Sequence, residues 1–336
     1  MSRILLLAGV AMACLFAIPS NACAEAPRVV LLLHGMSGSP ATWDSFMSDM
    51  HGTAPSITKG VLSGSASPIA NVYYYTVKFG AYDATSGRKG INGLSTSSSK
   101  SGDFSTYATL GNEVRDAING IRSRHKDAKI LLVGHSRGGL AGRALLEQST
   151  ISSAKSAVVG LLTLGTPHHG SYLGRIYPYL KNHSSYYTDP KTWLALETLK
   201  AVADFDPRRP TTGDLATGSD AINDLNAAAY RLPVTNIKYR TYVYSSMALG
   251  IMEGSVDILS LLSGGARDYI RNGKSSSYLK GDGTVQEASQ GFSDLSALPT
   301  GIDLKTTRIT STVFHTFESE RTNDIRTGMK SLASWW

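Results

Sequence analysis

Cysteine is almost absent from this chain of 336 residues, and the two present, Cys14 and Cys23, both fall within the first 24 positions. If that segment is removed, the remaining protein has neither disulfide nor thiol. That excludes cysteine nucleophiles, thiolate metal sites and a disulfide-stapled fold. A chain of this length can bury enough core to stand without staples. A membrane-length apolar run is missing too. The stretch Ile4–Ile18 is 15 residues long, short of the roughly 20 that a spanning helix needs. It follows the basic start Met1-Ser-Arg3 and precedes Ala22-Cys-Ala24, a small-residue cleavage site. Residues 1–24 therefore read as a secretory signal peptide. The mature chain is expected to start at Glu25, without a transmembrane segment, in the periplasm or outside the cell. A lipid anchor on Cys23 is disfavoured because Ser20-Asn21-Ala22 matches the usual preceding residues poorly.

Charge is sparse, at 18% of residues, with a formal net charge of +7. Loss of the leader removes one charge, Arg3, and leaves +6. The charges are scattered, which suits solubility and could favour anionic surfaces. There is no arginine-rich helix, zinc-finger spacing or aromatic RNA-binding signature, so nucleic acid is not an expected partner.

What is present is alternation. Arg28–Leu33 is a continuous apolar run, as expected of a strand buried on both faces of a parallel sheet. Thr42–Met50 reads as a helix and Asn71–Val77 as a strand rich in β-branched and aromatic residues. Residues 84–105, dense in Ser, Gly and Thr, read as a loop. Tyr107–Arg124 carries Leu110, Val114, Ile118 and Ile121 at helical spacing. Lys129–Val133 and Ala157–Leu164 are further strands, with helix Leu140–Glu147 between them. The pattern predicts an α/β fold with a doubly wound, mostly parallel sheet. From Ser171 to about Lys280 the alternation breaks, apart from a strand candidate at Tyr239–Tyr244. Asp189-Pro190 should start a helix with Trp193, Leu196, Leu199, Val202 and Phe205, ending before Pro207. A second apolar helix is expected over Met247–Leu262. Residues 171–280 are therefore read as a helical cap inserted into a catalytic domain spanning 25–336. Gly250, Gly254, Gly264 and Gly265 are candidate hinges that would let it act as a lid.

The chemistry concentrates in Gly134-His-Ser-Arg-Gly138, placed between a strand and a helix. Such a turn lifts a serine hydroxyl clear of the sheet, and its glycines permit the close approach of helix and strand. A serine needs a base, and the base needs an orienting carboxylate. His315 follows the strand candidate Thr306–Ile309, where a loop-borne base belongs. Asp282, in Gly281-Asp-Gly-Thr-Val285, is favoured as the acid over Asp257, which lies in an apolar helical segment. The backbone N–H groups of Met36, in His34-Gly-Met-Ser-Gly38, and of Arg137 are the expected oxyanion donors. His34 is expected to brace that loop. The neighbouring His168 and His169 do not converge on one ion, so no metal and no cofactor is expected.

These motifs, with Leu164-Gly-Thr-Pro-His-His-Gly170, resemble the bacterial secreted lipase and esterase group of α/β-hydrolases. The resemblance implies an exported carboxylic ester hydrolase of triacylglycerol-lipase type, acting on small-molecule or lipid esters through Ser136, His315 and Asp282, with contact to a lipid interface. It gives His168 a bracing role. Two features depart from that group. No disulfide can form in the mature chain, and the position two after His315 is Phe317 rather than an aspartate that could serve calcium. Glu318 and Glu320 are read as solvated helix-start residues. The alternatives are a small-ester or polyester carboxylesterase, a thioesterase or amidase, or a binding protein on the same fold.

Overall fold

The computed structural model describes residues 25–82, 87–95, 101–150, 153–183, 189–203, 205–252 and 255–333. The expected leader, the hinge candidate Gly254 and part of the 84–105 loop lie outside these residues.

Eight strands form the main sheet: β1 (Arg28–Leu33), β2 (Ser56–Thr58), β3 (Val61–Leu62), β4 (Val72–Val77), β5 (Lys129–His135), β6 (Val158–Leu164), β7 (Lys238–Tyr244) and β8 (Asp303–Ile309). Their order is β8-β7-β6-β5-β1-β4-β2-β3, parallel throughout except for the β2–β3 edge pair. Both faces are covered, and the period-two alternation of the strands divides their side chains between two cores. Val29, Leu31, Leu33, Ile130 and Leu132 face helices Tyr107–Arg124 and Arg137–Leu146. Val30, Leu32, Leu131 and Val133 face Trp43, Phe46 and the C-terminal helix Thr322–Leu332. Each fully buried aliphatic side chain of this kind contributes roughly 1.5–3 kcal/mol. A truncation such as Leu31→Ala would therefore cost about 2–5 kcal/mol, including its cavity.

The strand β7 belongs to this sheet, so it cuts the expected 171–280 region in two. The pieces before and after β7 share a separate apolar cluster, in which Ile176, Leu196 and Leu199 pack with Leu249, Ile258 and Leu259. Helix Pro190–Ala203 forms where its sequence signals place it: Asp189 Oδ1 accepts the Lys191 N–H at 3.2 Å. Its stripe is narrower than expected, since Trp193 is 52% exposed and the adjacent Leu194 49%.

The helix expected over Met247–Leu262 does not exist. Short strand pieces at Met247–Ala248, Ile251–Met252 and Val256–Asp257 lead into a single turn, Ile258–Leu261. Backbone geometry breaks it: Gly250 sits at φ +90° and Ser255 at φ +61°, neither helical. Gly264 and Gly265 open helix Gly264–Arg271, whose N-cap is Ser263.

Candidate active site

The serine turn is set by close packing. Ser136 has φ 54° and ψ −128°, a sparsely populated conformation for a non-glycine residue. It persists because the surroundings leave no alternative. A Cβ on Gly138 would lie 2.1 Å from the Leu33 carbonyl oxygen, and one on Gly139 would lie 2.1 Å from Thr166 Oγ1. Helix Arg137–Leu146 can therefore start directly above β1 and β6, and its first N–H groups open beside Ser136.

Three side chains from distant parts of the chain meet here. His315 Nε2 is 2.7 Å from Ser136 Oγ, and His315 Nδ1 is 2.9 Å from Asp282 Oδ2. Asp282 is fixed from its other sides. Its Oδ1 accepts the N–H groups of Thr284 (2.8 Å) and Val285 (2.7 Å), and its Oδ2 accepts Gln290 Nε2 at 3.1 Å. The same Gln290 bonds the Tyr244 backbone, tying the Asp282 turn to the end of β7. Asp257 does something else. Its Oδ1 accepts the N–H groups of Leu259 (3.0 Å) and Ser260 (3.2 Å) and caps the turn Ile258–Leu261.

Glu318 is not the solvated residue read from the sequence. It is wholly buried, and its Oε2 lies 3.4 Å from both His315 Nδ1 and His135 Nε2. It sits there because Gly165 has no side chain; a Cβ at that position would lie 1.8 Å from Glu318 Oε2. Burial pushes the pKa of Asp282 up to about 6, against the pull of His315, and burial also raises that of Glu318. Burial alone would lower the His315 pKa, but the Asp282 and Glu318 carboxyls outweigh it and raise it above the usual imidazole range. His135 is different. Burial and the neighbouring His315 push its pKa down to about 3, so the ring is neutral, and its Nε2 donates to the His315 carbonyl at 2.7 Å.

The loop that carries Met36 runs beside the serine, and Arg137 follows it directly. A Cβ on Gly35, the residue before Met36, would lie 3.3 Å from Ser136 Oγ, and Arg137 is the first residue of the helix. The Met36 loop is anchored from behind by Asp103. Its two carboxylate oxygens accept the Ser37 N–H (2.9 Å), Ser37 Oγ (3.0 Å) and Arg209 Nη1 (2.5 Å). The Arg137 side chain runs alongside, donating to the carbonyls of Gly102 and Ser105, each at 2.6 Å. His34 braces the loop, with Nδ1 donating to the Gly35 carbonyl at 2.9 Å.

Among the described residues, one group could bring three ligand atoms together: His135, His315 and Glu318, within 4.8 Å of one another. Both histidines there are already engaged through hydrogen bonds. His168 is fully buried, stacked on Phe292 at 4.5 Å and contacted by Arg143 Nη1 at 3.3 Å. Sequence reasoning missed His135, Glu318, Gln290, Asp103 and Arg209. The only linear signal among them is the three-residue spacing from His315 to Glu318.

Residues 102–189, which contain Ser136, match the family described as PGAP1-like alpha/beta domain. No curated protein sequence matches the chain. Among solved structures, the mature form of the Bacillus licheniformis lipase BlEst2 is 17% identical, with a TM-score of 0.53 over 92% of this chain and 93% of that one. The propeptide form of the same lipase is 16% identical with a TM-score of 0.52, matching 91% of this chain and 50% of the longer one. The sheet order, the strained serine turn and these likenesses together make this a protein of the α/β-hydrolase fold.

Proposed function

We propose that the protein is an exported serine hydrolase that cleaves carboxylic esters through an acyl-enzyme. The observation that carries the reading is the continuous line of hydrogen bonds from Ser136 Oγ through His315 to Asp282, at 2.7 and 2.9 Å. His315 Nε2 takes the Ser136 proton as Oγ attacks the acyl carbonyl. The oxyanion forms between the backbone N–H groups of Met36 and Arg137. His315 then passes its proton to the leaving alkoxide, and the ester C–O bond breaks. Water, deprotonated by His315, releases the acid and restores the serine. Asp282 holds the ring with Nε2 facing the serine and stabilises its charged form. This chemistry requires no cofactor. The lipase likeness supports the reading at the level of fold.

Ser136→Ala should reduce p-nitrophenyl butyrate turnover by about three to six orders of magnitude while the folded spectrum persists. A fluorophosphonate should label Ser136 alone. Substantial activity in the alanine variant would remove the assignment. Export is carried by residues 1–24 and is tested by N-terminal sequencing of the cell-free product, which should begin at Glu25.

Within this reading, a lipase with a lid is supported by exposed Trp193 and Leu194 on helix Pro190–Ala203, adjacent apolar side chains suited to a lipid surface. A carboxylesterase without interfacial preference is supported by the apolar cluster that packs the cap's own helices together. Tributyrin decides between them. A lid gives an abrupt rise in rate once substrate exceeds its solubility and forms droplets; smooth saturation through that limit favours the esterase.

A further inference from the structure

Resting on the ester-hydrolase reading and deepening it, we propose that Arg209, carried by the cap, is a positioning residue for the oxyanion step. The cap segment 206–217 is then a fixed part of the catalytic apparatus rather than a cover over it.

The loop that carries Met36 is not held by its own turn alone. Ser37, directly after Met36, sits at φ 55°, a left-handed conformation that is unfavourable for a residue with a Cβ. Its turn is closed by a long backbone bond, from the Gly38 N–H to the Gly35 carbonyl at 3.3 Å. Firmer contacts come from outside. Asp103 Oδ1 accepts the Ser37 N–H, and its Oδ2 accepts Ser37 Oγ. Arg209 Nη1 donates both to Asp103 Oδ2 at 2.5 Å and to Ser37 Oγ at 3.2 Å. Thr211 Oγ1 donates to the Asp103 carbonyl at 2.5 Å, and Thr212 Oγ1 lies 4.0 Å from Met36 Sδ. Arg209, Thr211 and Thr212 thus reach the loop from one short stretch of the cap, and all three are buried.

Arg209 does more than neutralise Asp103. Arg137 Nη1 lies 3.7 Å from Asp103 Oδ1, while Arg209 meets Oδ2. The two guanidinium groups pull on different oxygens, and Arg137 is itself held by the carbonyls of Gly102 and Ser105. Without Arg209 the carboxylate keeps a counter-charge in Arg137 but loses the partner that holds Oδ2 against Ser37 Oγ. The result is a displaced loop rather than an unpaired buried charge.

The segment can act as an anchor because it is strapped at both ends. The Arg208 carbonyl accepts the Ile91 N–H at 2.9 Å, an approach that needs Gly90, where a Cβ would lie 2.6 Å from the same oxygen. Asp214 takes both terminal nitrogens of Arg88, at 2.8 and 2.7 Å. The Leu215 carbonyl accepts the Ser171 N–H at 2.6 Å, and Ser171 Oγ donates to the Thr284 carbonyl at 2.5 Å, within the Asp282 turn. One segment therefore ties the oxyanion loop to the turn that holds the catalytic acid.

The test compares Arg209→Met, Arg209→Lys and Ser37→Ala in the full chain. The substrate is p-nitrophenyl butyrate and the inhibitor is propyl trifluoromethyl ketone. On binding the ketone, a Ser136 Oγ–carbon bond forms, the carbonyl electron pair moves to oxygen, and the serine proton goes to His315. Its Ki therefore reads the oxyanion donors and does not depend on the fraction of folded enzyme. Arg209→Met should lower kcat by about 30-fold with KM within about twofold, and raise Ki by a similar factor. Arg209→Lys should stay within about fivefold of the wild type in both, because Nη1 alone makes the two contacts and one ammonium can replace it. Ser37→Ala removes a single oxygen and should raise Ki by about threefold to tenfold. A Ki within about twofold of the wild type in Arg209→Met overturns the role even if kcat falls, since that is the mark of partial unfolding. So does a rise in KM at constant kcat, which would put the arginine on the substrate. If Arg209→Met does not fold, an unchanged Ki in Ser37→Ala overturns the role by itself. A wild type that cleaves the ester, with variants that leave Ki unchanged, loses the positioning role and keeps the ester reading. A wild type that neither cleaves the ester nor binds the ketone loses both.

Discussion

Two buried carboxyls face one histidine nitrogen, and their surroundings decide which of them carries the charge. Asp282 Oδ2 is 2.9 Å from His315 Nδ1, and Asp282 also accepts two backbone N–H groups and the Gln290 amide. Glu318 Oε2 is 3.4 Å from the same nitrogen, yet no described donor bonds either of its oxygens. Burial raises its pKa. The donors around Asp282 favour a negative charge there, and Glu318→Gln tests whether a second charge faces the ring. A full charge 3.4 Å from an imidazolium would be worth about 5 kcal/mol at an effective dielectric constant of about 20. That corresponds to a change of more than about three in the histidine pKa. Activity requires neutral His315, so kcat/KM rises with pH through the histidine pKa. Removing a negative neighbour lowers that pKa and moves the acid limb to lower pH. If Glu318 is neutral, Glu318→Gln replaces like with like. The acid limb of p-nitrophenyl butyrate hydrolysis follows the His315 pKa, which, against burial, its carboxyl neighbours push up to about 10; it should then shift by less than about half a pH unit, with kcat within about threefold. Asp282→Asn should cost about a thousandfold or more, because the ring loses both its orientation and its counter-charge. A drop of the acid limb by a full pH unit in Glu318→Gln would refute the assignment, as would an Asp282→Asn variant retaining a tenth of the activity.

Gly138→Ala should destabilise the protein by about 3 kcal/mol or more and lower its Tm, because the new Cβ meets a backbone oxygen 2.1 Å away that cannot turn aside. Gly139→Ala meets the Thr166 side chain instead, so adding Thr166→Ala should recover part of the Tm loss; equal recovery for Gly138→Ala with the same second substitution would contradict this contrast. Asp103→Asn should release the loop that carries Met36. Steady-state kinetics should show kcat reduced by about 10–100-fold with little change in KM, and calorimetry a lower Tm, since Arg209 loses its buried partner. An unchanged kcat would separate Asp103 from the oxyanion loop.

The cap shows where local patterning loses its hold. Met247–Leu262 has helical apolar spacing, but positive φ at Gly250 and Ser255 divides it into short strand pieces and one turn. Helical periodicity counts apolar residues and is blind to backbone handedness. Trp193 fits the apolar stripe of its helix by spacing but lies outside the cap's own core, because burial depends on what the neighbouring segment brings to each face.

Six of the eight sheet strands and the serine turn were legible in the linear chain, as were Asp282 and His315 as residues to bring beside Ser136; the short edge strands β2 and β3 were not. The legible features follow from short-range rules: continuous apolar runs for doubly buried strands, glycines where helix and strand nearly touch, and an Asp-Gly turn at a strand end. The groups that surround His315 were not legible there and emerged with the folded arrangement. Glu318 is buried because Gly165, over 150 positions earlier, leaves room for it. Gln290 reaches Asp282 because β7 ends beside that turn, and Asp103 holds Ser37 across 66 residues of chain. None of these pairs shares a spacing that a helix or strand period could reveal. Gly165 acts by leaving space, and the two polar pairs persist because folding buries them where water cannot compete.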